Sequence, residues 1–233
     1  PVLNSIIERF PATLLLASAA IILSLLIAIL LGTFAAANKG SFKDISVLIL
    51  SMLGVSIPSF ALGVILVQIF SIEFSVLPAI GYEPFFKNFP GSLRYLILPS
   101  LTLGAINAAA ITRMTRAEMI EQLSKDYIIT AKAKGLSRLT VIYKHAFRNS
   151  LITVVTYSGI QLGSLLGGTI IVEAIFTWPG IGFYVWEAIQ AKDYPIVQGI
   201  VLLVSFSFVL INLLVDISYF YLNPQIRLKR SES

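Results

Sequence analysis

The run PATLLLASAAIILSLLIAILLGTFAAAN, from Pro11 to Asn38, carries no Asp, Glu, Lys or Arg, and its reading decides the class of the molecule. About 20 apolar residues suffice to cross a bilayer core as a helix, so this run is long enough to span one. Four further uncharged runs follow at 45–72, 95–112, 149–172 and 194–215, the last extending as a helix to about 222. The chain is 57% hydrophobic and 12% charged, with a mean hydropathy of +0.87, well outside the range of ordinary soluble domains. The expected fold is all-α: a polytopic membrane helix bundle of five spans forming one domain over 1–233. Pro99 stands near the start of the third and shortest span, and Pro58 should kink or interrupt the second.

The net charge of +5 and pI near 9.5 could suggest nucleic acid, but the placement of the basic residues argues for a membrane surface and against a nucleic-acid partner. Segments 39–44, 113–148 and 216–233 hold thirteen Lys and Arg, whereas 1–10, 73–94 and 173–193 hold four. The positive-inside rule puts the first set in the cytoplasm, with the N-terminus outside and the C-terminus inside. An outside N-terminus needs something to translocate it, so an upstream span is expected, although initiator-Met removal before Pro1 would also give this terminus.

Several chemistries are excluded by residue content. There is no cysteine and only one histidine, His145, which rules out thiolate and multi-His metal sites and cysteine nucleophiles. No Gly-x-x-x-x-Gly-Lys-Ser/Thr phosphate loop occurs, so any nucleotide chemistry belongs to another subunit. Ionisable groups are missing from the span centres, and Asp216, one turn after Asn212, reads as an interfacial cap or packing contact. That weakens a proton- or sodium-coupled mechanism. An intramembrane hydrolase would need a nucleophile such as Ser164 beside its base, yet His145 lies in a basic loop.

Two small-residue stripes read as helix-packing faces. Gly159, Gly163 and Gly167 recur every four residues in the fourth span, and Ala20, Ser24, Ala28 and Gly32 do so in the first. Such spacing lets a neighbouring helix approach closely.

The segment 113–148 is charged and helically periodic. Met114, Ala117, Ile120, Leu123, Tyr127 and Ala131 form one apolar stripe, and Leu136, Leu139, Tyr143 and Ala146 begin another. Two short helices joined at Gly135 are expected. Such a pair could lie on anionic lipid through Lys125, Lys132, Lys134, Arg138, Lys144 and Arg148, or present a docking knob to a soluble partner.

Within it, Asp126-Tyr127-Ile128-Ile129-Thr130-Ala131-Lys132-Ala133-Lys134-Gly135-Leu136-Ser137, followed by His145-Ala146-Phe147-Arg148-Asn149, resembles the cytoplasmic signature loop of ABC-importer permeases of the dipeptide, oligopeptide and nickel family. The likeness extends through Arg9-Phe10-Pro11-Ala12-Thr13-Leu14, Ser56-Ile57-Pro58-Ser59-Phe60, Leu98-Pro99-Ser100-Leu101, Val172-Glu173, Pro179-Gly180-Ile181-Gly182, Asp193-Tyr194-Pro195 and a tail from Asn223 to Arg227. The resemblance implies a type I ABC-importer permease fold, a B-type subunit whose family's first span precedes the region matching Arg9, and residence in the bacterial cytoplasmic (inner) membrane. It further implies a homologous C-type permease, two ABC ATPase subunits that bind ATP and Mg, and an extracytoplasmic solute-binding protein as partners. This chain would be non-catalytic and hold no cofactor or metal itself. Asp126, Tyr127, Thr130, Ala131, Lys132, Lys134, Gly135, Leu136 and Ser137 would form the ATPase-coupling loop. Di- or oligopeptides are the expected cargo, with nickel or another small solute as the alternative.

The sequence departs from the wider pattern in places, the first of them usual in the peptide branch. Ile129-Thr130-Ala131 replaces the wider superfamily's Glu-Ala-Ala, and Thr153 replaces a common proline. Asn223 and Gln225 replace an Asp and an Arg.

Overall fold

The computed structural model describes residues 2–222, with side chains through residue 219; the tail from Asn223 to Arg227 lies outside them. Every regular element among the described residues is helical. In order these are α1 (Val2–Ala37), α2 (Phe42–Ser56), α3 (Ser59–Val67, continued by a π-helical turn Gln68–Glu73), α4 (Phe89–Leu123) and α5 (Asp126–Ala133). They are followed by α6 (Arg138–Thr140), a π-helical segment Val141–Phe147, α7 (Arg148–Phe176), α8 (Ile181–Ala191) and α9 (Tyr194–Leu222). Four continuous helices are long and apolar enough to cross a membrane, and α2 with α3, bent by 99° at their junction, makes a fifth if counted as one.

Pro58 is the cause of that bend. The residue before a proline is pushed out of the helical region, and Ile57 takes φ −85°, ψ 122° and closes α2, while Pro58 opens α3. Pro99 behaves differently. α4 begins ten residues before it, where Asn88 caps the helix by accepting the Gly91 amide at 3.2 Å, and the helix runs straight through Pro99. The neighbours of a buried helix hold it together across a missing backbone donor, and Leu98, Pro99 and Ser100 are all buried.

α1 and α4 are the central pair. Ala20, Ser24, Ala28 and Gly32 are buried on α1. The Ser24 hydroxyl lies 2.7 Å from its own helix's Ala20 carbonyl and 2.8 Å from the Gly104 carbonyl of α4. Contact is close enough that a Cβ on Gly32 would come within 2.6 Å of Thr115 Cβ, and one on Gly104 within 2.8 Å of the Ala20 carbonyl oxygen. Leu16, Leu98, Ile111, Val154, Leu166, Phe176 and Trp178 fill the core around this pair.

The glycine stripe of α7 meets α9 over only part of its length. A Cβ at Gly159 would sit 2.5 Å from Val215, and one at Gly163 would sit 3.1 Å from Phe208, but one at Gly167 meets nothing within 4 Å. Gly167 is therefore not part of this intrachain contact. Asp216 is exposed, so it is not a packing contact within this chain either.

The 113–148 segment also differs from the expected pair of short helices. Residues 113–123 continue α4, a break at Ser124-Lys125 precedes α5, and the second expected helix runs without interruption into α7, one rod from Arg138 to Phe176. The physical reason is that charge marks the membrane surface, not a helix end. No Gly or Pro interrupts 113–123 or 138–158, and nothing else there stops a helix. His145 and Ser164 lie on this one rod nineteen residues apart, about 28 Å at ~1.5 Å per residue, so they cannot form a nucleophile–base pair.

Candidate docking site

α5 is an eight-residue helix held on the end of the bundle by one face. Ile128 is fully buried and Ala131 nearly so, against Ala36, Met119, Val141, Ile142 and Ala146. Three hydrogen bonds fix it and the segments beside it there. The Tyr127 hydroxyl donates to Gln122 Oε1 at 2.9 Å and accepts from Asn149 Nδ2 at 3.1 Å, tying the end of α4 to the start of α7. Arg138 donates to the Ala37 carbonyl at the end of α1.

The turn out of α5 depends on Gly135, whose φ of +77° is the left-handed region that glycine takes at little cost. It lets the Leu136 amide reach back to the Ala131 carbonyl at 3.3 Å, while the Gly135 amide reaches that of Lys132. Ser137 then caps the next helix, its hydroxyl oxygen accepting the Thr140 amide at 3.3 Å. A Cβ at Gly135 would meet nothing within 4 Å, so the requirement for glycine is conformational.

The expected loop residues thus divide in two. Asp126, Tyr127, Thr130, Lys132, Lys134, Gly135, Leu136 and Ser137 are exposed, and Ala131 is buried in the chain's own core. Ala131 cannot be an outward contact, and the inner face of α5 is Ile128 and Ala131 where the sequence pattern put Tyr127 and Ala131. On a helix of 3.6 residues per turn, misplacing the stripe by one residue rotates it by about 100°. The outward face carries Ile129, 60% exposed, with Asp126, Thr130, Ala133 and Leu136 around it.

The shaft that carries this loop is clasped lower down. Arg116 of α4 makes a two-pronged ion pair with Asp44 at the start of α2, at 2.5 and 2.7 Å, and Asp44 also accepts the Gly40 amide at 2.9 Å. Asp44 is buried. The α1–α2 turn is therefore pinned to the base of the loop. The Lys125–Glu121 pair nearby is exposed and contributes little.

At the opposite end a second buried carboxylate organises the chain between α7 and α8. Glu173 is fully buried; it accepts the Thr13 hydroxyl at 2.7 Å and the Phe183 amide at 2.9 Å, and Thr13 Oγ1 in turn accepts the Ile181 amide at 2.9 Å. Its carboxylate thus sits at the N-terminus of α8, where backbone donors are unpaired and negative charge is favoured. Trp178, also fully buried, donates its indole N–H to the Ala12 carbonyl at 2.9 Å and meets Tyr82 edge to face. There is no room for a side chain at Gly180, where a Cβ would approach Thr13 and Glu173 to within 2.4 Å. Thr13 and Glu173 lie in separate sequence motifs, and nothing in their spacing predicts the pairing. The available signal was a single carboxylate with apolar neighbours on both sides, just past the uncharged run 149–172.

Comparison with known proteins agrees with this architecture. The family described as "Binding-protein-dependent transport system inner membrane component" matches residues 28–228. The chain is 42% identical over 229 residues to the glutathione transport system permease protein GsiC of Escherichia coli (strain K12), covering 98% of this chain and 72% of that protein. The same protein of Shigella flexneri serotype 5b (strain 8401) matches equally well. Among solved structures, an inward-facing MetNI methionine ABC transporter superposes with a TM-score of 0.78 at 16% identity, over 96% of this chain and 98% of that one. An amino acid ABC transporter with histidines superposes with a TM-score of 0.65 at 14% identity, over 94% of each chain. The chain belongs to the binding-protein-dependent transport inner-membrane components, as an ABC-importer permease.

Proposed function

We propose that this permease imports short peptides, and that α5 is the contact through which a separate ATPase drives it. The observation that carries the reading is the two-sided build of α5. One face, Ile128 and Ala131, is anchored in the chain's own core, and the other, with Ile129, Thr130, Ala133 and Leu136, is exposed. A helix so held transmits a push at its outer face directly to α1, α4 and α7. The excess of Lys and Arg in 113–148 supports a cytoplasmic position for this loop and for the C-terminus. A homologous C-type permease would complete the pathway, a binding protein would deliver the cargo, and ATP and Mg would be held by the ATPases, leaving this chain a mechanical and non-catalytic part. Support for peptide cargo comes from the relatives named as glutathione permeases. The segments carrying the coupling role would be the spans near 11–38, 45–72, 95–112, 149–172 and 194–222 moving about loop 113–148, between inward- and outward-open arrangements.

Co-purification of the ATPase with permease variants tests this. Ile129→Glu places a charge in the outward face, and Gly135→Val opposes the left-handed turn at about 1–3 kcal/mol. Both should release the ATPase while leaving the permease inserted. Lys132→Gln with Lys134→Gln should retain it. If the lysine variants lose the ATPase and the other two keep it, the loop is a lipid anchor and the coupling role is wrong.

A further inference from the structure

Between the end of α3 and the start of α4 the chain forms an open cavity of about 500 Å³, within the ~300–1,000 Å³ of small-molecule sites. The cleft between α7 and α9 and the one between α1 and α4 are lined chiefly by Leu, Ile, Val and Phe. This one is different: Ser71, Ser75, Glu83, Asn88, Arg94 and Tyr95 are on its wall.

Glu83 and Arg94 share the cavity without forming an ion pair. Each is tied to a different support. Glu83 Oε1 accepts Asn88 Nδ2 at 2.7 Å, beside the first turn of α4, and Arg94 donates to the Val76 carbonyl at 3.2 Å. The loop bearing Val76 is itself set by Ser75, whose φ of +51° is a left-handed conformation rare for serine. Most of the guanidinium's five donors and of the carboxylate's acceptor positions remain open. The Ser71 hydroxyl, also on this wall, is shielded and has no partner.

This charge arrangement selects by sign. A metal cation attracted to Glu83 meets Arg94, and a simple anion attracted to Arg94 meets Glu83; a ligand carrying both charges, separated, satisfies both. A short peptide is such a ligand, with its two charged ends set apart at ~3.3–3.6 Å per residue when extended. We propose that this cavity is a low-affinity acceptor site for a zwitterionic short peptide, its α-ammonium at Glu83 and its α-carboxylate at Arg94. The inference rests on the peptide reading and on the orientation that puts residues 73–94 outside. Weak binding suits a site that must pass its cargo on. Partly exposed charge pairs contribute modestly, so each end should be worth about two- to fivefold in affinity.

The test uses the complete importer in nanodiscs without its binding protein. Radiolabelled trialanine is titrated to millimolar concentration, with N-acetyl-trialanine and trialanine amide as competitors. The wild type should bind trialanine saturably. Glu83→Gln keeps the acceptor for Asn88, and it should weaken trialanine two- to fivefold but leave the N-acetyl peptide unchanged. Arg94→Gln should weaken trialanine and leave the amide unchanged. Glu83→Asp and Arg94→Lys, with melting temperatures for all four variants, separate lost charge from lost folding. Absence of saturable binding in the wild type overturns the proposal, as does equal weakening of free and blocked peptides. Variants that lose binding-protein-dependent uptake while binding trialanine as the wild type does overturn it too, because the cavity would then be a protein-docking surface. Binding-protein-dependent uptake is measured in parallel with trialanine and with glutathione. Uptake without saturable binding sinks the acceptor site alone, and uptake of neither probe sinks the peptide reading with it.

Discussion

Thr13 in α1 and Glu173 in α7, 160 positions apart, are joined by a 2.7 Å hydrogen bond inside the bundle. Thr13 is both donor to Glu173 and acceptor from the Ile181 amide, so one hydroxyl connects α1, the end of α7 and the start of α8. Thr13→Val keeps the shape and removes both bonds, leaving a carboxylate oxygen and an amide short of partners in a fully buried site. The expected loss is about 1–3 kcal/mol. Thermal unfolding of the purified complex checks it, and Thr13→Ser, which retains the hydroxyl, should restore most of the stability. Equal stability of the valine and wild-type proteins would mean that water or a partner subunit satisfies these groups.

The Asp44–Arg116 clasp gives a second prediction. Asp44→Ala leaves Arg116 without its partner, while the Gly40 amide also loses its acceptor. Hydrogen bonds to charged groups are worth about 1.5–3 kcal/mol, and a double-mutant cycle with Arg116→Ala should show coupling within that range. If the clasp links the α1–α2 turn to the coupling shaft, Asp44→Ala should also lower uptake per ATP hydrolysed. Coupling below about 0.5 kcal/mol would reduce the pair to a surface contact.

The two glycines of α7 that differ in surroundings should respond differently. Gly163→Leu drives a side chain into Phe208 and Asn212 of α9, whereas a Cβ at Gly167 meets nothing within 4 Å. The first should lower the yield of folded complex, and overpacking of this kind costs about 1–3 kcal/mol. The second should fold, and lower uptake by the folded complex would show that this face is needed for transport. Equal yields for Gly163→Leu and wild type would show that the α7–α9 contact is dispensable.

What could be read in the sequence followed from solvent. A membrane demands uncharged runs, and those runs located the spans; Pro58 stopped a helix because no neighbour rescues the exposed Ile57–Pro58 junction. Helix ends were not legible, because α4 and α7 extend past the uncharged runs 95–112 and 149–172 as continuous rods. Gly135 was legible as a joint, since its conformation is local. The inward face of α5 was not, since Ile128 and Ile129 are identical in type and only tertiary packing separates the buried one from the exposed one. The pairing of Glu173 with Thr13 was not legible for a related reason: the two lie 160 positions apart.

Orientation is tested with single cysteines, for which the chain is suited by having none. Ser137 is exposed at the loop, and Ser137→Cys should resist an impermeant maleimide added to intact cells but react in inverted vesicles. Phe86→Cys, at a fully exposed position on the opposite loop, should do the reverse. Labelling of Ser137→Cys from outside would invert the topology.

The last prediction turns on two alanines two positions apart in α5. Ala131 is 6% exposed and packs with Ile128, Met119 and Ile142; Ala133 is exposed. A glutamate at 131 puts an unpaired charge into a small apolar cluster, at about 3–5 kcal/mol if it stays buried, and the cheaper outcome is for α5 to lift off the bundle. Amide hydrogen exchange over 126–133 should then rise sharply, and ATPase coupling should fail because the lever is detached. A glutamate at 133 leaves that anchor intact, so exchange should stay at the wild-type level. Under the docking reading it nevertheless disturbs the face offered to the ATPase, and cargo-stimulated hydrolysis should drop with α5 still folded. The contrast isolates recognition from stability, which neither variant does alone. Ala133→Glu with normal exchange and normal stimulation would show that the outward face of α5 touches no ATPase.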